Sequence, residues 1–353
     1  MNTTFKKIET AYKNKKPFVS YSEPESTTIS SFFMKEETLF FTSDFTESGF
    51  VFSPFDAEEN TVLFPVDKAD FLQEKIERLD NFEFFNRYTD DESEKEAHIN
   101  LVDKTILKIK NSSLQKIVIS RKELILLKDF DVLLLFKKLL KQYKAAFVYV
   151  WYHPKIGLWF GATPETLLHI SNQRFKTMSL AGTQLLQENT AVAWGAKELE
   201  EQQLVTDFIV NQLKPITTSL KVNQNETVQA GSLLHLKTKV EGEVKSNSDL
   251  KQLIRALHPT PAVCGLPRKE AFVFITENEP YKRDFYTGFL GESNLESNLD
   301  KSKLSKLYVN LRCMRIEDKI ATVYVGSGIT KDSNATKEWT ETVSKSKTMK
   351  TVL

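Results

Sequence analysis

The chain has 353 residues, with 48 Lys and Arg against 47 Asp and Glu, so it carries a net charge of +1. That balance, without a long block of one sign, speaks against a nucleic-acid or membrane surface. Its two cysteines, Cys264 and Cys313, stand outside any CxxC or Cys/His cluster, which excludes a zinc site and a disulfide framework and favours a reduced, cytoplasmic protein.

In chain order, the N-terminal stretch MNTTFKKIETAYKNKKPF lacks the apolar core of a signal peptide and reads as a short helix. Short strands follow it: PFVSY, TISSFFM, TLFFTS, GFVFS and TVLFPV, separated by turn residues in an antiparallel pattern. A helix is expected over about 92–110, where Ile99, Val102, Ile106 and Ile109 recur at three and four, with Ser93 or Asp91 as its cap. KIVISRKELILL is strand-like, and DVLLLFKKLLKQY is an amphipathic helix opened by Asp131. Its apolar run, VLLLF at 132–136, is too short to span a bilayer. AAFVYVWY and IGLWFGA form a hairpin, RFKTMSL runs as a strand into AGT, and 196–213 is a second long helix.

LLHLKTKVEGEV alternates as a strand, SDLKQLIRAL is a helix capped by Ser248 or Asp249, and the prolines of HPTPAVCGLP mark a loop. LYVNLRCMRIE and KIATVYVGSGI pair as a hairpin, and a helix from about 335 ends the chain. Strands and helices mix without strict βαβ alternation. That favours an α/β or α+β assembly of large, mainly antiparallel sheets with helices outside, over a barrel or a Rossmann fold. No linker divides the chain, so 1–353 reads as one domain, with a variable β-rich part over 1–90 and a recognisable core over 91–353.

Two helices each carry an acidic pair at spacing three: Glu198 and Glu201 in KELEEQQLV, Glu338 and Glu341 in KEWTETVSK. Residues three and four apart share a helix face. Alone, each pair reads as a solvated stripe; facing each other, they would make an oxygen-rich pocket suited to Mg²⁺. Lys116 in KIVISR is a strand-boundary lysine or a desolvated general base. Glu165 in GATPETLL is expected at a turn opening a helical segment, where it is a helix-start acid or a protonated general acid. SLAGT and VGSGI read as glycine-bearing turns after strands, whose NH groups can cradle a carboxylate. Arg312, expected mid-strand, needs an acidic partner, either structural or a substrate carboxylate. His258 reads equally as a site group or a loop histidine.

Nine ordered segments over 115–350 together resemble the chorismate-utilising enzyme family: KIVISR, GATPETLL, SLAGT, KELEEQ, HPTPAVCGLP, RDFYTGFLG, LRCMRI, VGSGI and EWTETVSK. The resemblance implies that Lys116 is the general base and Glu165 the general acid, acting on opposite faces of chorismate. It further implies Glu201 and Glu341 as direct Mg²⁺ ligands with Glu198 and Glu338 in support. Gly182, Thr183, Tyr286, Arg312, Gly326 and Lys345 match positions that hold the substrate's carboxylates, and His258 matches a histidine near the reacting ring. The chemistry needs Lys116 neutral and Glu165 protonated near neutral pH, and burial favours both.

Within the family, Ala181 stands where aminodeoxychorismate synthases carry a nucleophilic lysine, and HPTPAV is similar to the isochorismate and salicylate synthases rather than the anthranilate branch. The first of these is the leading expectation and the second its alternative. A catalytically dead chorismate-binding protein and an unrelated Mg²⁺-dependent hydrolase explain the retained Lys116, Glu165 and four glutamates less well. The family often has Glu-His where this chain has Glu201-Gln202. The resemblance also implies a monomer without a glutaminase subunit.

Overall fold

The computed structural model describes residues 3–76, 79–84, 92–186, 192–230, 233–297 and 301–353. Two large sheets dominate. The first runs in the spatial order β15 (Gly265–Leu266), β7 (Lys116–Leu126), β19 (Ile320–Ile329), β18 (Cys313–Glu317), β9 (Gly157–Thr163), β8 (Phe147–His153), β1 (Phe18–Ser22), β2 (Thr28–Met34) and β6 (Ala69–Lys75). The second runs β12 (Thr217–Val222), β14 (Leu233–Val244), β11 (Arg174–Leu185), β10 (Thr166–Ser171), β17 (Lys303–Val309), β16 (Phe289–Glu296), β4 (Gly49–Ser53), β5 (Thr61–Pro65) and β3 (Phe40–Thr42), with β13 (Glu226–Ala230) also paired to β14. Neighbouring strands of both sheets pair antiparallel, as the strand pattern led one to expect.

An aromatic layer joins the two sheets. Tyr21, Phe32, Trp151 and Trp159 of the first meet Phe50, Phe52, Phe64 and Tyr308 of the second. Such rings bury large areas in defined geometries; Phe147 stacks on Tyr308 with ring centroids 4.1 Å apart. The helices α1 (Thr3–Lys13) and α3 (Val132–Gln142) share an apolar cluster with the first sheet, joined by the end of α7 (Ala335–Lys350). On the second sheet lie α4 (Ala196–Leu213) and α5 (Leu250–Leu257), while α2 (Lys95–Lys110) and α6 (Arg268–Asn278) pack at the β7 edge. The result is helices, sheet, sheet, helices.

Asp131 and Asp249 cap α3 and α5 as their sequences predict, Asp249 in a capping box. Helix α2 differs: Glu94 precedes it without a side-chain cap, so Ser93 is not its cap, and Asp91 lies outside the described residues. Strand β6 and helix α6 have no counterpart in the sequence reading. The strands of 1–90 do not stand apart, since β1 pairs with β8 and β4 with β16.

Two corrections matter for the site. LYVNLRCMRIE is not one strand. It breaks at Asn310–Arg312, where the chain leaves β17 in the second sheet for β18 in the first. Glu165 does not open a helix; with Pro164 it forms the link by which the chain leaves β9 for β10 in the other sheet. The two crossings are hydrogen-bonded together, Val309 N donating to Glu165 O at 3.0 Å and Ala162 N to Arg312 O at 3.0 Å.

Candidate active site

These crossings open onto a cleft lined by side chains from both sheets. Its lining brings together Lys116, Glu165, Gly182, Thr183, Glu201, Tyr286, Arg312, Gly326, Glu341 and Lys345. Elements distant in sequence supply them: β7, the two crossings, β11, α4, the loop before β16, β19 and α7.

Lys116 is the first residue of β7 and only 1% exposed, with Nζ 2.8 Å from Glu201 Oε1. Gly328 faces the pair across the strand: a Cβ there would come within 2.6 Å of Glu201 Oε1 and 2.8 Å of Lys116 Cε. Glu165 is 3% exposed. Burial pushes its carboxyl up to about 8, with the cations Lys116, Arg312 and Lys345 opposing. It is therefore an acid that keeps its proton at neutral pH.

SLAGT and VGSGI are not turns after strands; both lie inside long strands, β11 and β19. The glycine of SLAGT instead makes a bulge. The register with β14 shifts between Ala181 and Thr183, and Gly182 has φ +67. An L-residue there would be strained, and its Cβ would press within 3.2 Å of Glu198 Cβ on α4.

Arg312 sits at the crossing rather than mid-strand, with φ +46, a conformation uncommon outside glycine. Among the described residues it makes no ion pair within 4 Å. Its Nη2 instead stands 3.5 Å from His235 Nε2. His235, on β14, also lines the cleft. Burial first, then Arg312 and Lys345, push its imidazole down to about 3, so the ring is neutral. Its Nδ1 lies 3.1 Å from the Gly182 carbonyl, which can only accept, so Nδ1 carries the hydrogen and the Nε2 lone pair faces Arg312.

His258 is absent from the lining. Its ring is buried against Phe289, with Nε2 3.2 Å from the Pro54 carbonyl. Here the loop-histidine alternative wins, and the site histidine is His235, in LLHLKTKVEGEV. The alternation of that stretch marked a strand but could not tell which face meets the cleft.

Three of the four helix glutamates hold lysines. Besides Lys116–Glu201, Lys345 Nζ lies 2.5 Å from Glu341 Oε1 and 2.9 Å from the Gly326 carbonyl, and Lys197 Nζ lies 2.8 Å from Glu338 Oε1. Glu198 and Glu338 line a groove between α4 and α7 that adjoins the cleft, and Glu341 lines both. Burial first, then Glu341, raises the Glu338 carboxyl. Among the described residues no three His, Cys, Asp or Glu side chains are gathered as a ready metal cluster. The donor chemistry nonetheless fits a hard cation: oxygen-only side chains from two helices line the cleft and its adjoining groove, three of the four paired with a lysine.

Residues 56–353 match the family model described as chorismate binding enzyme. The chain belongs to that family. Isochorismate synthase EntC of Escherichia coli K12 is 31% identical over 202 residues, covering 55% of this chain and 50% of EntC. Isochorismate synthase DhbC of Bacillus subtilis is 30% identical over 199 residues, 54% of this chain and 48% of DhbC. The chain thus spans about half the length of these curated relatives. A solved structure of DhbC from Bacillus anthracis, a proposed 2,3-dihydroxybenzoate-specific isochorismate synthase, matches with TM-score 0.81 and 25% identity over 98% of each chain. That of MenF from Escherichia coli, at TM-score 0.80 and 19% identity over 96% of this chain and 88% of MenF, shares the fold. The family match begins at residue 56, inside the part read as variable over 1–90, and it contains every candidate site residue named above. Among the described residues, no helix is long and apolar enough to cross a membrane.

Proposed function

We propose that the protein is an Mg²⁺-dependent isochorismate synthase, interconverting chorismate and isochorismate. One observation carries the reading: a buried lysine and a buried carboxylic acid pushed up to about 8 line one cleft, together with Arg312 and Lys345. Water attacks C2 of chorismate and its proton passes to Lys116. Both ring double bonds shift by one position, and the 4-hydroxyl leaves as water with the proton of Glu165. The ring thus gains one hydroxyl and loses another, and the overall change is an isomerisation. To take a proton, Lys116 must first be parted from Glu201.

Arg312 offers a planar fork to one substrate carboxylate. His235 holds that fork from behind, and Lys345 offers a second positive charge. Glu201 and Glu341, supported by Glu198 and Glu338, would hold the cation, which when bound would neutralise the ring carboxylate. With water as nucleophile, no glutaminase partner is needed.

Purified protein incubated with chorismate and Mg²⁺, followed by product separation, tests the proposal. Isochorismate as product supports it. Salicylate with pyruvate would instead indicate that elimination follows at the same site. Absence of turnover would favour a chorismate-binding role.

A further inference from the structure

Strand β7 begins with Lys116 and carries two charges that the cleft does not use, Arg121 and Glu123, 4% and 3% exposed. Their partners lie on α7. That helix turns Glu338, Glu341 and Lys345 toward the cleft and the adjoining groove. Its next stripe, Trp339, Thr342, Ser346 and Lys350, is buried. Arg121 Nε donates to Thr342 Oγ1 at 2.9 Å, and its guanidinium lies over the Trp339 ring, 4.3 Å from the centroid. Arg121 Nη1 is 3.5 Å from Glu123 Oε2, and Glu123 Oε1 accepts from the fully buried Lys350 Nζ at 2.6 Å. From α2, His98 sets its ring against Trp339 with centroids 5.8 Å apart.

A chain of three buried charges thus joins the strand that carries Lys116 to the helix that carries two of the glutamates. Buried ion chains seldom add stability over well-packed apolar side chains. What they add is orientation, because a guanidinium offers its donors in a fixed fork. An α-helix turns about 100° per residue, so rotation by one residue would put Glu338 where Trp339 sits and Glu341 where Thr342 sits.

We propose that Arg121 is a positioning residue for the active site: anchored by Glu123 and Lys350, it fixes the rotation of α7 and so the aim of Glu341 and Lys345 into the cleft. The inference rests on the Mg²⁺-dependent reading of that site. It is tested on the full chain with Thr342→Val, which keeps the shape and removes the hydroxyl that accepts from Arg121 and donates to the Trp339 carbonyl within α7, and with Arg121→Lys, which keeps the charge and removes the fork. Calorimetry with Mg²⁺ alone should show the dissociation constant raised at least fivefold in both. The Mg²⁺ concentration for half-maximal turnover of chorismate should rise in parallel. A lowered melting temperature with wild-type Mg²⁺ affinity would overturn the proposal, since a merely structural contact predicts that result; so would full rescue by Arg121→Lys. The calorimetry is independent of the reaction. Wild-type protein that binds Mg²⁺ but fails to convert chorismate would defeat the functional reading, while the variants would still decide this one.

Discussion

Glu165→Gln separates the electrostatics of the site from its chemistry. The glutamate's ordinary value is 4.5, and burial pushes it up to about 8 in the folded chain. Between those values the folded state keeps a proton that the unfolded state has released. Wild-type protein must therefore lose stability as pH rises through this window, and the loss is complete above about 8. The slope is about 1.4 kcal/mol per pH unit, and the whole window amounts to at most about 5 kcal/mol. Glutamine has nearly the same shape and does not titrate. Urea unfolding of both proteins at pH 5, 6, 7, 8 and 9 gives the difference directly. That difference should move in favour of the variant with rising pH and level off above about 8. A difference that stays flat across the range would refute the assignment of Glu165 as a buried, protonated acid, whatever the variant does to turnover.

Three further outcomes follow from the site. Lys116→Ala should abolish water addition while the circular dichroism spectrum stays native, and retained turnover would remove Lys116 as the base. Glu341→Gln should raise the Mg²⁺ concentration needed for half-maximal turnover, and an unchanged titration would take it off the ligand set. Gly328→Ala would drive a methyl into the contact between Lys116 and Glu201. It should lower kcat/KM by about 100-fold, since misplacement on the order of 1 Å is enough for that, and wild-type kcat/KM would contradict the packing described at this pair.

Local chemistry made much of the fold legible. Asp131 ahead of an apolar 3,4 pattern announced α3, and Ser248 or Asp249 announced the start of α5, where the structure chooses Asp249. The antiparallel sheets followed from short alternating strands with turn residues between them. What stayed hidden was which sheet each strand joins. LYVNLRCMRIE has the period of one strand, yet the chain changes sheets at Arg312 through a left-handed backbone that no apolar pattern signals. For the same reason Pro164–Glu165 looked like a helix start. It is the matching crossing, tied to the first by Val309 N and Ala162 N.

The acidic pairs of α4 and α7 were legible as faces because helical spacing fixes what shares a side. That Glu201 and Glu341 share one cleft, with Glu198 and Glu338 in the groove beside it, depends on tertiary packing. The histidine that lines the cleft was not singled out because His258 sits in the more distinctive motif, while His235 lies in an ordinary strand whose inward face only the folded sheet defines. The lysines set against the glutamates were also out of reach, since Lys197 and Lys116 meet Glu338 and Glu201 across long sequence separations.

The central claim is that water, taken by Lys116 and delivered to C2, replaces the departing 4-hydroxyl. Turnover of chorismate with Mg²⁺ in ¹⁸O-enriched water measures it most directly, with product isolated early, before the reverse reaction scrambles the label. Isochorismate should carry one ¹⁸O atom, at its 2-hydroxyl. Unlabelled isochorismate would mean that the hydroxyl migrates within the substrate, and the roles given to Lys116 and Glu165 would fall together.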